Sequence, residues 1–424
     1  ITSALLRSMD QQGYAREDEW APGQSTFPPV HKKSYLPLKM KGEKNKIDQI
    51  LERINGSGEI NEEQIIILLN SRGLEFERVC EFANKLRKKV SGEEVTYAVN
   101  RNINYTNVCY FRCGFCAFSK GKMSENLRGK PYNLELDEIV SRAREAWDRG
   151  ASEVCLQGGI HPSYTGETYL QICKAIHEAV PRIHIHAFSP LEVSQGASTL
   201  GLSVPEFLEK LRDSGLGTLP GTAAEVLDDE VRNIICPDKL STQEWLSVMR
   251  DAHEVGFRTT ATIMFGHLEA PYHVARHLLR IRGLQRETGG FTEFVPLPFV
   301  HMEAPIYLKG KSRMGPTFRE AVLIHAVARI VLNPFIQNIQ TSWVKMGPEG
   351  VKACLDAGAN DLGGTLMNES ITRAAGTVHG QEMLPERMEA LIRQTGRIPR
   401  QRDTLYRIPD PIQNSKSYGN QLIN

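Results

Sequence analysis

Asn104-Tyr-Thr-Asn-Val-Cys109-Tyr-Phe-Arg-Cys113-Gly-Phe-Cys116-Ala-Phe-Ser119 is the stretch on which the reading of this chain turns. It sets three thiols at spacings of four and three residues, directly after a β-prone run over residues 95–103. The other cysteines, Cys80, Cys155, Cys173, Cys236 and Cys354, are scattered. A loop that follows a parallel strand opens onto the catalytic face of a βα barrel. Thiolates select soft or borderline metals, so the trio suits an iron-sulfur cluster or zinc. A structural zinc site takes four protein ligands, and no fourth Cys or His lies in the loop. Three ligands on a four-iron cluster leave one iron open to a cofactor or substrate. Clustering of ordinary core cysteines is the third alternative.

Outward from this loop, short β-prone runs alternate with longer amphipathic segments, the pattern of repeated βα units around a parallel sheet. The runs are residues 95–103, 153–156, 183–188, 217–219, 258–264, 292–295, 336–340 and 360–363. They predict an α/β fold, a (β/α)8 or partial TIM-like barrel, over residues 93–395. In the helix after the cysteine loop, Asn133 is the expected cap, and Ile139, Val140, Ala143, Ala146 and Trp147 form one stripe. Residues 47–92 carry two further helical patterns and form a helical lead-in.

Residues 1–46 read as a linker or interdomain segment. They hold Trp20-Ala-Pro-Gly23, Pro28-Pro29 and six lysines from Lys32 to Lys46 against Glu43. A transit peptide is the rival, but Asp10, Glu17, Asp18 and Glu19 are wrong for an acid-poor leader. The tail, 396–424, is rich in Arg, Pro and Asn and is expected to wrap the barrel or fray.

Composition narrows the function classes. With 424 residues, 41% hydrophobic and 24% charged, the chain can bury a large core and is neither disordered nor a disulfide scaffold. A net charge of +1 gives no general attraction to nucleic acid or to an anionic membrane. The apolar run over residues 65–69 is far short of the roughly 20 residues a spanning helix needs. Few cysteines and no signal-peptide pattern imply an intracellular, reducing compartment, the cytoplasm or an organelle.

The Cys-x3-Cys-x2-Cys run closely resembles the motif of the radical S-adenosylmethionine (SAM) superfamily. That resemblance implies a 4Fe-4S cluster on Cys109, Cys113 and Cys116, with SAM on the open iron and Phe115 against its adenine. It also implies cofactor contacts from Gln157, Gly158 and Gly159. Ser189, Glu192 and Glu225, after later strands, are further cofactor candidates, since carboxylates at strand ends suit ribose hydroxyls or a substrate amine. Asn100-Arg-Asn-Ile-Asn-Tyr-Thr-Asn-Val-Cys109, Gln157-Gly-Gly-Ile-His-Pro162 and Pro220-Gly-Thr-Ala-Ala-Glu225 are similar to a smaller group, the aminofutalosine synthases of menaquinone synthesis and the deazaflavin (FO) synthases. Ala359-Asn-Asp-Leu-Gly-Gly-Thr-Leu-Met-Asn-Glu-Ser-Ile371, Arg373-Ala-Ala-Gly376 and His379-Gly-Gln381 resemble the second, tyrosine-cleaving half of the FO synthases.

The activity so implied is a 5-amino-6-(D-ribitylamino)uracil:L-tyrosine 4-hydroxyphenyl transferase. A reductant and a ring-closing radical SAM domain, upstream or on another chain, are the implied partners. The chain begins with Ile1 and holds one three-cysteine motif, so it is expected to be the C-terminal half of a two-enzyme fusion.

A ribityl diaminouracil wants amide, carboxylate and guanidinium partners, and tyrosine presents a carboxylate, an amine and a phenol. Arg101, Asn102, Asn104, Arg258, His267, Glu269, His301, Asn368 and Glu369 are the candidate substrate residues. Glu225, His161 and His186 are candidate acid–base groups, with no one of them assigned that role.

Overall fold

The computed structural model describes residues 2–29, 46–56, 58–120 and 130–419. Its strands, in chain order, are β1 Glu94–Ala98, β2 Asn100–Ile103, β3 Glu153–Leu156, β4 His184–Ala187, β5 Thr218–Leu219, β6 Arg258–Phe265, β7 Phe291–Pro298, β8 Asn338–Ile339, β9 Asp361–Gly364 and β10 Ile398–Arg402. β2 to β8 pair in sequence order as one seven-stranded parallel sheet. Helices connect these strands, as parallel pairing requires. The sheet curls into a partial barrel. β9 lies in its gap, paired with β1 on one side and touching the end of β8 through a Gln340–Asp361 bridge.

Every expected strand lies at its predicted place, with two differences. The run at 95–103 is two strands, because Asn100 turns its side chain into the backbone of the β9 segment. Its Oδ1 accepts from Leu366 N at 2.9 Å, and its own N donates to Thr365 Oγ1 at 3.0 Å. A Cβ on Gly364 would lie 2.0 Å from that Oδ1, so the close approach needs glycine.

The second difference lies in the tail. Residues 398–402 form β10, in parallel register with β1 from Glu94↔Ile398 to Ala98↔Arg402. Its sequence, Ile-Pro-Arg-Gln-Arg, lacks apolar alternation and is held by ion pairs, among them Arg400 Nη1 to Glu94 Oε2 at 2.6 Å.

The lead-in comprises helices Lys46–Asn55, Glu62–Leu69 and Leu74–Ser91. Asn61 and Gln64 form a reciprocal cap at the second. The last two pack against helix Phe318–Leu332, which is buried along its whole length because barrel and lead-in enclose it. Its interior Arg329 is satisfied by Gly358 O at 2.9 Å, Gln337 O at 2.6 Å and Asn360 Oδ1 at 2.6 Å. In helix Leu136–Asp148 the N-cap is Glu135 rather than Asn133, whose Oδ1 accepts from Tyr164 OH instead.

Residues 2–29 of the expected linker or interdomain segment pack on the barrel. Trp20 is 2% exposed and meets Phe318 edge-on, ring centroids 5.3 Å apart. Arg16 ties the segment down through Gly315 O at 2.8 Å and Pro316 O at 3.1 Å. Isolated apolar residues among polar ones hid this anchor in the sequence. Residues 30–45 of the expected linker and 420–424 of the tail lie outside the described residues.

Candidate active site

The cysteine loop leaves the C-terminal end of β2 and is fixed from three sides. Tyr110 N donates to Ile160 O at 3.1 Å, Gly114 N to Ile235 O at 2.8 Å, and Ile306 N to Gly114 O at 2.7 Å. Within it, Cys116 Sγ accepts from Ser119 N at 3.3 Å. The turn after β3 presses against the same loop. A Cβ on Gly159 would lie 2.2 Å from Val108 O and 2.9 Å from the Cys109 Cβ, and one on Gly158 would strike the Tyr105 ring. Both glycines are therefore needed to bring this backbone against the cysteines.

Among the described residues, Asp228, Glu230 and His273 are the trio whose ligand atoms lie within 4.8 Å of one another, and the cysteine sulfurs are spread more widely. A single zinc with Zn–S of about 2.3 Å would want its sulfurs roughly 3.8 Å apart. A 4Fe-4S cluster binds its cysteines through separate irons and accepts the wider spread. The donor set and its spacing thus fit the cluster. Burial pushes the Cys113 thiol up to about 12 against the opposing charge of Lys239, and raises Cys116 as well. Iron is the positive charge that would hold them as thiolates. The Asp228 trio is already compensated by Arg280, 3.0 Å from Asp228, and by Arg276, 3.3 Å from Glu230.

The loop caps a barrel cavity of about 390 Å³. Phe115, Cys116, Gln157 and Glu225 line its upper part. Asn102, His186, Thr260 and Thr262 also line it, and Asn100, Glu153, Glu293, Arg402 and Thr404 form its floor, Asn100 and Glu153 being the first residues of β2 and β3. Glu225 has φ 48°, a left-handed conformation unusual for a side chain of its size, as does Ala223 at 64°. Lys239 holds Glu225 at 3.0 Å and sits 5.1 Å over the Phe115 ring.

Of the predicted residues, Phe115, Cys116, Gln157, His186, Glu225, Asn102 and Glu369 share this cavity. His186 is kept neutral there, since burial pulls it down to about 4. Its Nδ1 pairs with Thr218 Oγ1 at 2.7 Å.

The remaining candidates are not on the cavity wall. Ser189 and Glu192 cap helix Pro190–Leu200 reciprocally, Glu192 accepting from Ser189 N at 2.7 Å and from Tyr105 OH. Glu192 also accepts from Gly158 N, which makes it a positioning residue for the glycine turn. Arg101 points outward to Glu145 at 2.6 Å. Asn104 braces Gln157 O at 3.2 Å and Ser370 Oγ at 2.7 Å. Arg258, the first residue of β6, bonds to Gly289 O at the end away from the cysteines.

His267 and Glu269 form a buried pair at 3.3 Å, closed by Arg313 at 3.0 Å. His301 meets Tyr307 edge-on with centroids 4.4 Å apart, and His161 is fixed by Ser163 Oγ at 2.7 Å. Asn368 is exposed.

The floor was not foreseen. Arg402 reaches Asp361 and Glu293, Tyr406 OH donates to Glu293, and Thr404 Oγ1 donates to Glu153 at 2.6 Å. Burial raises Glu293 to about 7 despite Arg402. A carboxylate inside each of two β-prone runs, Glu153 and Glu293, was the available signal.

The pattern described as the radical SAM superfamily matches residues 103–279, and that described as the CofH/MqnC C-terminal region matches 288–415. The chain is 47% identical over 353 residues to the 5-amino-6-(D-ribitylamino)uracil–L-tyrosine 4-hydroxyphenyl transferase of Methanocaldococcus jannaschii, covering 82% of this chain and 97% of that protein. It is 48% identical over 347 residues to the FO synthase of Streptomyces coelicolor, again 82% of this chain but 40% of the relative. The chain thus spans about two fifths of the length of the FO synthases it matches. Among solved structures, methylornithine synthase superposes with a TM-score of 0.65 at 17% identity, covering 82% of this chain and 97% of that one. The FeFe-hydrogenase maturase of Carboxydothermus hydrogenoformans gives 0.62 at 16%, with 88% of each covered. At those identities the likeness is one of fold.

Proposed function

We propose for this chain, which belongs to the radical SAM family of 5-amino-6-(D-ribitylamino)uracil–L-tyrosine 4-hydroxyphenyl transferases, the reaction its family is named for. The observation that carries the reading is the cysteine loop closing the top of a barrel cavity with a polar floor and a wall of mixed polar and apolar side chains. When bound, a 4Fe-4S cluster on Cys109, Cys113 and Cys116 with SAM supplies a 5′-deoxyadenosyl radical able to take a hydrogen atom from tyrosine. Tyrosine then divides between its α and β carbons, the 4-hydroxybenzyl part joining the uracil and the glycine part leaving as an imine.

The residues of this chain bind, orient and shield. Phe115 and Gln157 line the cavity beneath the cysteine loop, and Gly158 and Gly159 allow backbone close to it. Glu225, fixed by Lys239, offers a carboxylate for a ribose hydroxyl or an amine. Asn102, Glu369 and the floor groups are suited to the amide edges and hydroxyl chain of a ribityl diaminouracil. The apolar walls, Met264, Val295, Leu297 and Phe299, keep water from a reactive intermediate. Reductive cleavage of SAM would call for an electron donor, and ring closure for a second radical SAM domain, the partners this reading requires.

Anaerobic reconstitution followed by reaction with SAM, reductant, tyrosine and the ribityl diaminouracil tests the reading. A hydroxybenzyl–uracil adduct supports it. Deoxyadenosine without the adduct rejects the substrate assignment, and zinc in place of about four irons per chain rejects the cluster.

A further inference from the structure

Two cationic side chains line the cavity, Arg402 and Lys345. Arg402 is neutralised on the floor by Asp361 at 2.6 Å and Glu293 at 3.2 Å. Lys345 follows β8, on the same end of the barrel as the cysteine loop. Its Nζ lies 3.5 Å from the neutral hydroxyl of Thr372, and among the described residues it makes no ion pair. The nearest acid to influence it, Glu369, has both oxygens engaged by backbone, Oε1 by Thr372 N at 2.7 Å and Oε2 by Arg373 N at 3.2 Å. Burial of this ammonium pulls it down to about 8.

A buried charge is costly unless paired, so a cation that faces a ligand cavity with only a hydroxyl for company is suited to an anionic group of the ligand. Of the groups on the proposed substrates, the α-carboxylate of the amino acid carries a full negative charge, whereas the ribityl diaminouracil carries none that needs a cation. The Lys345 main chain is itself fixed, its carbonyl accepting from Gly23 N at 2.7 Å, so the packed N-terminal segment braces this wall.

We propose that Lys345 is the residue that takes the α-carboxylate of the amino-acid substrate, an assignment that rests on the tyrosine-cleaving reading. A carboxylate held at this end of the barrel keeps the bond to be broken beneath the cysteine loop. SAM also carries an α-carboxylate, and the test separates the two sources.

The test is equilibrium binding of L-tyrosine, tyramine and SAM to the reconstituted holoenzyme and to Lys345→Met and Lys345→Arg, by calorimetry. Lys345→Met should weaken tyrosine at least tenfold, leave SAM within twofold, and abolish the preference for tyrosine over tyramine, which lacks the carboxylate. Lys345→Arg should recover most of that preference, which also shows the fold intact. Unchanged tyrosine binding in Lys345→Met would overturn the assignment, and a loss confined to SAM would move Lys345 to the cofactor. Wild-type holoenzyme that binds SAM but not tyrosine would overturn the substrate reading itself.

Discussion

Arg402 reaches from the last strand into the barrel and clamps Asp361 at its first β9 position, Nε to Oδ2 at 2.6 Å and Nη2 to Oδ1 at 3.0 Å. The same guanidinium meets Glu293 at 3.2 Å and lies 4.0 Å from the Tyr406 ring centroid. The C-terminal segment is therefore the floor of the site.

Arg402→Met leaves two buried carboxylates without their cation. Breaking a buried pair from one side costs about 3–5 kcal/mol. Urea denaturation should register a loss of that order, and Arg402→Met together with Asp361→Asn should recover part of it. A loss under about 1 kcal/mol would mean that the floor network does not stabilise the fold.

Gly159 and Gly283 give opposite responses to alanine. At Gly159 the new Cβ would meet Val108 O at 2.2 Å and the Cys109 Cβ at 2.9 Å, so the cysteine loop must move. Iron content after reconstitution of Gly159→Ala should fall well below that of the wild type. Gly283 lies inside helix Pro271–Thr288 with nothing within 4 Å of an added Cβ, so Gly283→Ala should stabilise by about 1 kcal/mol and keep full iron content. Equal iron content in both variants would contradict the contact drawn between the glycine turn and the cluster loop.

Acid should destabilise the protein through its buried histidines. Burial lowers His186, His253, His301 and His325 to about 4 and His277 to about 3, from an ordinary 6.5. Between those values the unfolded chain takes up protons that the folded chain refuses. Stability is therefore intact above pH 6.5 and falls as the pH drops toward 4, by at most about 1.4 kcal/mol per unit for each group. Glu293, raised to about 7, acts in the opposite sense, since its folded form gains protons first as the pH falls. The histidines outnumber it, so the melting temperature should decline from pH 6.5 to 5, and a flat or rising profile would contradict the balance.

The cysteine loop and the succession of strands were legible in the sequence because each is a local pattern. What was lost is pairing across the chain. Arg402 and Glu293 are 109 residues apart, and Thr404 and Glu153 are 251 apart, so the floor could be suspected only from carboxylates placed inside β-prone runs. Arg101 and Asn102 show a different error. Neighbouring strand residues face opposite ways, so one of the two had to leave the barrel, and it is Arg101, which meets Glu145 outside. Glu192 was expected among the cofactor contacts after the third strand, and the structure places it as the acceptor of Gly158 N.

The most direct test of the central claim is the fate of the two halves of tyrosine. Holoenzyme is supplied with SAM, reductant, the ribityl diaminouracil and tyrosine labelled either in the ring or at the α carbon. Mass spectrometry should find ring label in the uracil product and α-carbon label only in the released two-carbon fragment. Deoxyadenosine formation with no ring label in the uracil product, or α-carbon label retained there, would contradict the account.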